Sequence, residues 1–231
     1  MKKSNKLLLG GFLTLLLAIA AVQITLSARY KSGNYTLYTV DRDPAFEAIE
    51  GFSGARTIKV ENISSASIAF SDVPLVSKQY KHLLELVRDG ETLVIRGKYK
   101  FNWDDSSDQV ILYLPANLSY TLKNSTIIFR SVKLSQITNV DVNLQNGNAI
   151  FSGTRVPMSL DNLKIVALQN SNASLIGNTT IKNMDVQLSN SSVSVNEATP
   201  GNISIITDSI SRISLPYKLF STAKITTTTG Q

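Results

Sequence analysis

Apolar and polar residues alternate along the second half of the chain, in short runs on both sides of a recurring polar anchor residue. The anchors are Asn124, Asn146, Asn170, Asn190 and Asp208. The mostly apolar positions four and two residues before them are Tyr120/Leu122, Val142/Leu144, Val166/Leu168, Val186/Leu188 and Ser204/Ile206. The positions three and five residues after them are Ile127/Phe129, Ala149/Phe151, Ala173/Leu175, Val193/Val195 and Ser211/Ile213. This period of two predicts a pair of short strands with a bend at each anchor.

The anchors follow one another at intervals of 22, 24, 20 and 18 residues. A period near 20 residues is typical of a solenoid, in which each coil buries its apolar side against its neighbours. Asparagine suits the bend because its short amide tolerates left-handed backbone and can bond its own main chain. A β-sandwich also has alternating strands, but it does not require asparagine at one fixed offset. The pattern therefore favours stacked coils with the anchor side chains in a column.

A second asparagine column supports the same register. Its members precede four anchors by 7, 8, 7 and 6 residues and are Asn139, Asn162, Asn183 and Asn202. Apolar residues two positions before the first three of them are Ile137, Leu160 and Ile181. Each coil is therefore expected to have two asparagine corners and three faces. In this register Leu144, Leu168 and Leu188 point inward and stack, whereas their neighbours Gln145, Gln169 and Ser189 point outward.

The first half of the chain carries weaker strand signals. Ile58 and Val60 stand at the same offsets from Asn62 as the inward residues of the later repeats. Asp89-Gly90 lies between two apolar runs and predicts a tight hairpin turn, although residues 75–88 could instead form a short helix. The expected organisation is a linker over residues 28–50, a β-helix domain over residues 51–220 and a polar tail over residues 221–231. Tyr35, Tyr38 and Phe46 could instead cap the first coil.

The N-terminus predicts a membrane anchor. Leu7 to Leu26 is an uncharged run that is preceded by three lysines. A run of this length can cross a bilayer as a helix, and the basic flank favours a cytoplasmic start. Residues 1–27 are therefore expected to form a basic tip and a single transmembrane helix. A cleaved signal peptide is the alternative, because Ala18-Ile19-Ala20 has the form of a cleavage site. Both place residues after about 30 outside the cytoplasm.

The basic character of the chain is concentrated in this flank. The formal net charge is +6, but residues 1–31 hold five basic residues and no acidic one. The other residues carry 18 basic side chains against 17 acidic ones. No basic run with interleaved aromatic residues marks a nucleic-acid surface, so no nucleic-acid partner is expected. Without cysteine the chain has neither disulfides nor a lipid-modified cysteine.

The sequence offers little catalytic chemistry. With one histidine, His82, and no cysteine, it argues against a histidine-based triad and a multi-histidine metal site. The cluster Asp104, Asp105 and Asp108 could offer oxygen ligands to Ca²⁺, but it lacks the glycine and terminal glutamate of a helix-loop-helix site. A solvated loop is the expected role of that cluster, and a polar linker that of Asp41, Asp43 and Glu47. No catalytic, cofactor-binding or metal residue is assigned, and no cofactor is expected.

Parallel β-helices also include polysaccharide lyases and pectin hydrolases. Their sites need a carboxylate cluster, or carboxylate-bound Ca²⁺ with a basic residue, on one outer face. Asp141 and Asp185 stand at equivalent places, five residues before their anchors. The coil between them offers Ile165 at that place. A carbohydrate-active enzyme is therefore kept as the alternative, and the protein is predicted not to be an enzyme.

Three further segments carry a family resemblance. Phe52-Ser-Gly54, Glu91-Thr-Leu-Val-Ile95 and Val110-Ile-Leu-Tyr-Leu-Pro115, followed by asparagine-rich coils, resemble the GIN-domain family, also called the auto-transporter adhesin head domain. The chain departs from the family in having asparagine where Gly-Ser turns are common, and a membrane anchor instead of a lipoprotein cysteine. The resemblance implies an all-β, right-handed parallel β-helix in the envelope of a Bacteroidetes-type bacterium, with no established catalytic residues.

These observations predict a non-catalytic, adhesin-like protein of a bacterial membrane. A single-pass anchor would hold the β-helix in the periplasm or outside the cell, where its polar face binds a protein or a glycan. A structural or sensory envelope module that works with membrane partners is a further alternative.

Overall fold

The computed structural model describes residues 11–12, 14–25, 44–98, 110–132 and 136–228. The chain divides into two units, residues 1–42 and residues 43–231.

In the first unit, residues 11–12 and 14–25 are helical and exposed. Across the described part of the chain, no helix is both long enough and apolar enough to cross a membrane. Residues 7–10, 13 and 26 of the expected anchor lie outside the described residues. The anchor over residues 7–26 and the alternative of cleavage after Ala20 both stay predictions.

The described residues of the second unit form sixteen strands and two short helices. The strands are β1 Phe46–Ala48, β2 Thr57–Glu61, β3 Ala66–Phe70, β4 Leu75–Ser77, β5 Leu84–Asp89, β6 Thr92–Gly97, β7 Val110–Leu114, β8 Ser119–Lys123, β9 Thr126–Ser131, β10 Gln136–Gln145, β11 Asn148–Leu168, β12 Asn172–Ser189, β13 Ser192–Val195, β14 Thr199–Thr207, β15 Arg212–Ser214 and β16 Lys224–Thr227. The helices are α1 Lys78–Lys81 and α2 Tyr217–Phe220.

These strands build a parallel β-solenoid with three faces. The first face stacks residues 92–97, 57–61, 119–123, 141–145, 164–168, 185–189, 204–207 and 224–227. The second face stacks residues 110–114, 66–70, 126–131, 148–153, 172–177, 192–195 and 212–214. The third face stacks residues 136–139, 159–162, 180–183 and 199–202. The predicted all-β solenoid is confirmed, and its right-handed sense stays a prediction.

The N-terminal end of the solenoid is built out of chain order. The coil of β2 and β3 lies between the coil of β6 and β7 and the coil of β8 and β9. Antiparallel strands then close this end, with β5 against β6, β4 against β7 and β1 against β4. Covering the sheet edges in this way removes sites for unwanted strand pairing.

The hairpin predicted at Asp89-Gly90 is confirmed. Asp89 pairs with Thr92, and Gly90 has a φ of 55°. The alternative helix over residues 75–88 is wrong, because only Lys78–Lys81 is helical and strands lie on both sides. Pairing of these strands at the sheet edge outweighs the helical propensity of the segment.

Strands also extend past the expected domain bounds. Strand β1 lies within residues 28–50, where a linker is expected, and the adjacent Ile49 is buried. Strand β16 lies within residues 221–231 and pairs in parallel with β14. Parts of both segments therefore belong to the sheet.

The anchor asparagines adopt the left-handed backbone that the bend requires. Their φ values are 56° at Asn62, 49° at Asn124, 50° at Asn146, 61° at Asn170 and 46° at Asn190. Side-chain amides bond along the column, from Asn124 to Asn62 (3.1 Å), Asn146 to Asn124 (2.9 Å) and Asn190 to Asn170 (3.1 Å). Asparagine is enriched in this backbone region. The bonds confirm the predicted column from Asn62 to Asn146 and from Asn170 to Asn190.

The second asparagine column is continuous. Each Nδ2 donates to the Oδ1 of the preceding coil, from Asn162 to Asn139 (2.8 Å), Asn183 to Asn162 (2.9 Å) and Asn202 to Asn183 (2.9 Å). The predicted inward residues Ile137, Leu160 and Ile181 are all buried. Both corners and the third face are therefore as the sequence predicts.

A serine column lies directly inside the first corner. The pattern of apolar positions does not predict it, because these residues are polar. Each serine Oγ accepts a backbone N–H from the preceding coil, at Ser125 from Ile63 (3.1 Å), Ser171 from Gly147 (3.2 Å), Ser191 from Ser171 (3.2 Å) and Ser211 from Ser191 (3.1 Å). Buried backbone donors are costly when unpaired. The column therefore satisfies the N–H groups that the bends release from the sheet.

The register predicted for the third repeat is wrong. Leu144 pairs with Ala167, which in turn pairs with Leu188. These three residues are buried, whereas Leu168 faces outward and is half-buried. The corner holds an additional residue, since Gln169 (φ 58°) is left-handed together with Asn170. One extra residue reverses the inward and outward positions of a strand, so Ala167 takes the place expected for Leu168.

The same shift occurs in the last repeat. Ile205 pairs with Val186 and is fully buried, whereas Ile206 is 44% exposed. The expected inward pair Ser204 and Ile206 therefore faces outward instead. Of the register prediction, Leu144 and Leu188 are confirmed as inward residues, and Gln145, Gln169 and Ser189 as outward ones.

Asp208 ends the first column as a charged acceptor. Its Oδ2 accepts the Asn190 N–H at 2.7 Å, and its Oδ1 accepts the Ser211 N–H at 2.8 Å. A hydrogen bond from the Ser211 side chain is the main cause of the lowered carboxyl pKa, and the backbone bonds add to it. Together they lower this pKa from 3.8 to about 2. Hydrogen bonds to the charged form produce a shift of this sign.

Asp208→Asn is therefore expected to lower stability at neutral pH, because the amide lacks the charge. A depressed folded-state pKa contributes stability above pH 3.8 that is lost as the pH falls through about 2. The difference in urea midpoint between wild type and variant should shrink across this window. Asp185→Asn, at an exposed carboxylate, is the control. A difference that is constant from pH 2 to 7 would contradict the role of the charge.

Candidate ligand-binding surfaces

The outer side of the third face is a polar array, which we call the third-face array. Its outward residues with polar side chains are Gln136, Thr138, Ser159, Asp161, Thr180, Lys182 and Thr199, and they alternate with the buried apolar residues. Gly201 stands beside Lys182 and ends the second row without a side chain. Gln136, Ser159, Thr180 and Thr199 occupy one row of paired positions. Because parallel strands lie about 4.8 Å apart, this row repeats hydrogen-bonding groups at a regular short interval.

Ion pairing orders the second row of the array. Lys182 contacts the Asp161 carboxylate, which also accepts the Gln136 amide at 2.8 Å. The contact with Lys182 lowers the pKa of Asp161 below its ordinary value. The second asparagine column borders the array along its whole length. The arrangement can hold an extended polar ligand through many hydrogen bonds.

The first face carries a row of charges of alternating sign. Asp141 pairs with Lys164, and Lys164 pairs with Asp185. The residue between the two carboxylates is thus Lys164, whereas the sequence pattern predicts Ile165 there. The additional residue at the Gln169 corner causes this difference of one position. The two aspartates stand two strands apart, which is about 10 Å between backbones. Carboxylates and a basic residue on one outer face match part of what the enzyme alternative requires.

A further charge cluster lies near the N-terminal end of the first face. Glu61, only 7% exposed, contacts the Lys59 ammonium at 2.7 Å and the Arg96 guanidinium at 2.9 Å. The bond from Lys59 is the main cause of the lowered pKa of Glu61. Arg96 also contacts Glu85 at 3.3 Å. These groups satisfy one another, which points to a structural role.

Of the other titratable candidates, His82 and Glu47 lie among the described residues. His82 is exposed directly after α1, and Glu47 lies in β1, where it contacts Lys81 at 2.7 Å. Asp41 and Asp43, and the cluster Asp104, Asp105 and Asp108, lie outside the described residues. Within the described ranges, no group of three histidine, cysteine, aspartate or glutamate residues could hold a metal ion.

The second face carries a cleft, which we call the second-face cleft, with a volume of about 230 Å³. Its floor is β3, whose outward residues Ser67 and Ala69 are small. Ser67 pairs with Ile111 on one side and Ile128 on the other, and Ala69 pairs with Tyr113 and Arg130. Two small residues between rows of large ones leave a groove along the strand.

A bulge in β11 closes one side of this cleft. Gly153 pairs with Gly177 and Met158 with Thr179, so β11 has three more residues than β12 between these points. The additional residues bring Thr154, Arg155 and Val156 to the rim of the cleft. The 24-residue interval between Asn146 and Asn170, the longest of the series, is the signal in the sequence that could have revealed this bulge.

Two arginines, Arg130 and Arg155, line the cleft. Burial, and then the positive charge of nearby Arg155, lowers the pKa of Arg130 below its ordinary value. The Oγ of Ser152 and the Oγ1 of Thr154 lie 2.9 Å apart beside them. The Tyr113 ring packs edge-on against Phe46, with 4.9 Å between ring centroids. Sequence reasoning assigned none of these residues to a binding site.

The fold and these surfaces define a three-sided parallel β-solenoid with polar outer faces. Solved structures that are similar to it include a protein from Bacteroides fragilis, provisionally named an adhesin (TM-score 0.40, 9% identity, 79% of this chain and 93% of that one). Another is from Parabacteroides distasonis, provisionally named a lipid-binding protein (TM-score 0.39, 16% identity, 76% and 82%). A second P. distasonis protein, provisionally named an adhesin, has a TM-score of 0.34 at 11% identity (79% and 91%).

No family model matches the chain, and no curated protein matches it. The resemblance to the GIN-domain family therefore stays a prediction.

Proposed function

We propose that the protein is a non-catalytic, adhesin-like binding module whose third-face array holds a protein or glycan ligand. The observation that carries the proposal is the array itself, in which every outward position except Gly201 has a polar side chain and the rows continue from coil to coil. Solenoids use such extended surfaces to bind extended ligands. Many regularly spaced hydrogen bonds, each worth about 1 kcal/mol, then add up to useful affinity.

Bulky substitutions on the array test this proposal. Full-length protein is screened against a glycan array and against envelope extracts, and the ligand found is titrated. Ser159→Arg and Thr180→Arg are expected to weaken its binding by about tenfold or more, because the new side chains block the row. Gln187→Arg, which is exposed on the first face, is the matched control. Equal binding by all three variants would exclude the array as the binding surface.

We also propose that the protein is held at a bacterial membrane by residues 7–26, with the solenoid in the periplasm or outside the cell. The uncharged run and its lysine flank support this proposal. Membrane-extracted protein should therefore begin at or near Met1 on N-terminal sequencing. A mature start at Ala21 would show that a signal peptide is cleaved, and it would refute the proposed membrane anchor.

The charge row on the first face favours one second candidate function, a carbohydrate-active enzyme. Lys164 between Asp141 and Asp185 is the observation that favours it. We expect no hydrolase or lyase activity, since Lys164 stands beside both carboxylates and can form an ion pair with either of them. Sustained release of sugar ends from acidic polysaccharides by wild type, abolished in Asp141→Asn or Asp185→Asn, would establish the enzyme instead.

A further inference from the structure

A cavity of about 540 Å³ lies at the C-terminal end of the second asparagine column, and we call it the corner cavity. Asn183 and Asn202 form one side of it. Asp185 and Ser204, which are paired neighbours on the first face, form its floor. The chain after α2 forms a third side, where Lys224 pairs with Ser204. Pockets for organic ligands usually measure about 300–1,000 Å³, so the corner cavity is large enough for one.

The row of amides in the second asparagine column ends in this cavity. Asn202 donates from Nδ2 to the Oδ1 of Asn183 at 2.9 Å. The next coil has Thr222 at the equivalent place, two residues before Lys224, and its hydroxyl donates to carbonyl groups of α2. Hydrogen-bonded amides polarise one another, and an amide that donates becomes a better acceptor. The exposed Asn202 therefore offers its Oδ1 to a hydroxyl group of a ligand.

Two exposed side chains of opposite charge line the same cavity. Asp185 and Lys224 stand on either side of Ser204 in one row of paired positions, which places their backbones about 10 Å apart. A carboxylate accepts hydrogen bonds, an ammonium group donates them, and a serine hydroxyl does both. Neighbouring hydroxyl groups of a sugar also donate and accept, so they can bond to all of these groups together. A neutral ligand fits this set better than an ion does, because the two protein charges balance each other.

We propose that the corner cavity binds a neutral sugar residue, with Asp185, Asn202 and Lys224 bonded to its hydroxyl groups. The inference rests on the proposed function only in that the ligand is a glycan, and it names the class of sugar. None of these three residues belongs to the third-face array. Variants of the cavity and variants of the array can therefore fail independently of each other.

The test is calorimetric titration of full-length protein with the neutral disaccharides maltose, lactose and mannobiose. At least one of them should bind with a Kd of about 1 mM or lower. Asp185→Asn should weaken this binding by about tenfold or more, the value of one charge-assisted bond. Asp141→Asn removes the same charge from the same row outside the cavity, and it should change binding by no more than about twofold. Lys224→Gln is a second cavity variant that keeps the carboxylate, and it should also weaken binding.

Absence of binding by all of these sugars, or full binding by Asp185→Asn, would overturn the proposal. Equal affinity for triglycine, a zwitterion that can pair with both charges, would refute the sugar in favour of a peptide ligand. Ser159→Arg on the third-face array should leave disaccharide binding unchanged. Loss of binding in that variant, with full binding by Asp185→Asn, would place the sugar on the array instead of the cavity.

Discussion

Replacing Phe129 with alanine is expected to lower the free energy of unfolding by about 3–5 kcal/mol. The ring is fully buried and lies between Phe70 and Phe151, at centroid distances of 5.7 and 4.9 Å. Tyr120 packs edge-on against it at 5.3 Å. Truncation therefore leaves a cavity in a stack that joins three successive coils, and each neighbouring ring loses contacts.

Urea unfolding of wild type and variant, followed by circular dichroism and tyrosine fluorescence, measures this loss. Two probes are needed because repeat arrays can unfold in parts, and coincident transitions justify a single free energy. Lys123→Ala, exposed at the end of β8, is the control and should stay within about 0.5 kcal/mol. A loss below about 1 kcal/mol for Phe129→Ala would mean that the aromatic stack is not a packed core.

Leu144→Ala is expected to cost about 2–5 kcal/mol, whereas Leu168→Ala should cost about 1 kcal/mol or less. Leu144 is fully buried between coils, and Leu168 lies half-buried on the outer side of the first face. The position stacked on Leu144 belongs to Ala167, which is also fully buried. Ala167→Leu should therefore destabilise the protein by about 1–3 kcal/mol through overpacking.

The same urea titrations rank these three variants. The order of losses distinguishes the two registers without further structural work, because the sequence pattern alone places Leu168 inside. A larger loss for Leu168→Ala than for Leu144→Ala would restore that register. It would also return Ile165 to the outer row and remove Lys164 from between Asp141 and Asp185.

Much of the coil could be read from local preferences. Asparagine at a corner, with apolar residues at even offsets on both sides, determines where the chain bends and which side chains enter the core. This reasoning holds at Asn124, Asn146 and Asn190, where each corner has a single left-handed residue. It also holds for the second column, whose amides bond in one unbroken row.

The same reasoning fails where the number of residues in a corner changes. Gln169 and Asn170 both adopt left-handed backbone, and the pattern before Asn170 offers two apolar alternations, Val166/Leu168 and Ile165/Ala167. Only pairing with the neighbouring coils selects the second of these. The offsets from Asn170 place Val166 and Leu168 in the core, but Ala167 occupies the position opposite Leu144 and Leu188.

The candidate sites depend even more on tertiary structure. The second-face cleft combines residues from β3, β7, β9 and the β11 bulge, which are far apart in the chain. Its floor exists because β3 is placed between β7 and β9, an order that chain sequence does not follow. Arg130 and Arg155 line the same cleft because of that placement and because of the three additional residues of the bulge.

By itself, the sequence determined that the second half of this chain is a solenoid with asparagine at two corners of most coils, because bends and side-chain alternation are local properties of the backbone. The tertiary structure alone decided the order of the N-terminal coils, the inward residue of the third repeat and the grouping of charges on the outer faces. These features depend on which strands become neighbours. Strand pairing joins residues that are distant in the chain, and a single extra residue in one corner is enough to exchange the buried and exposed sides of a strand.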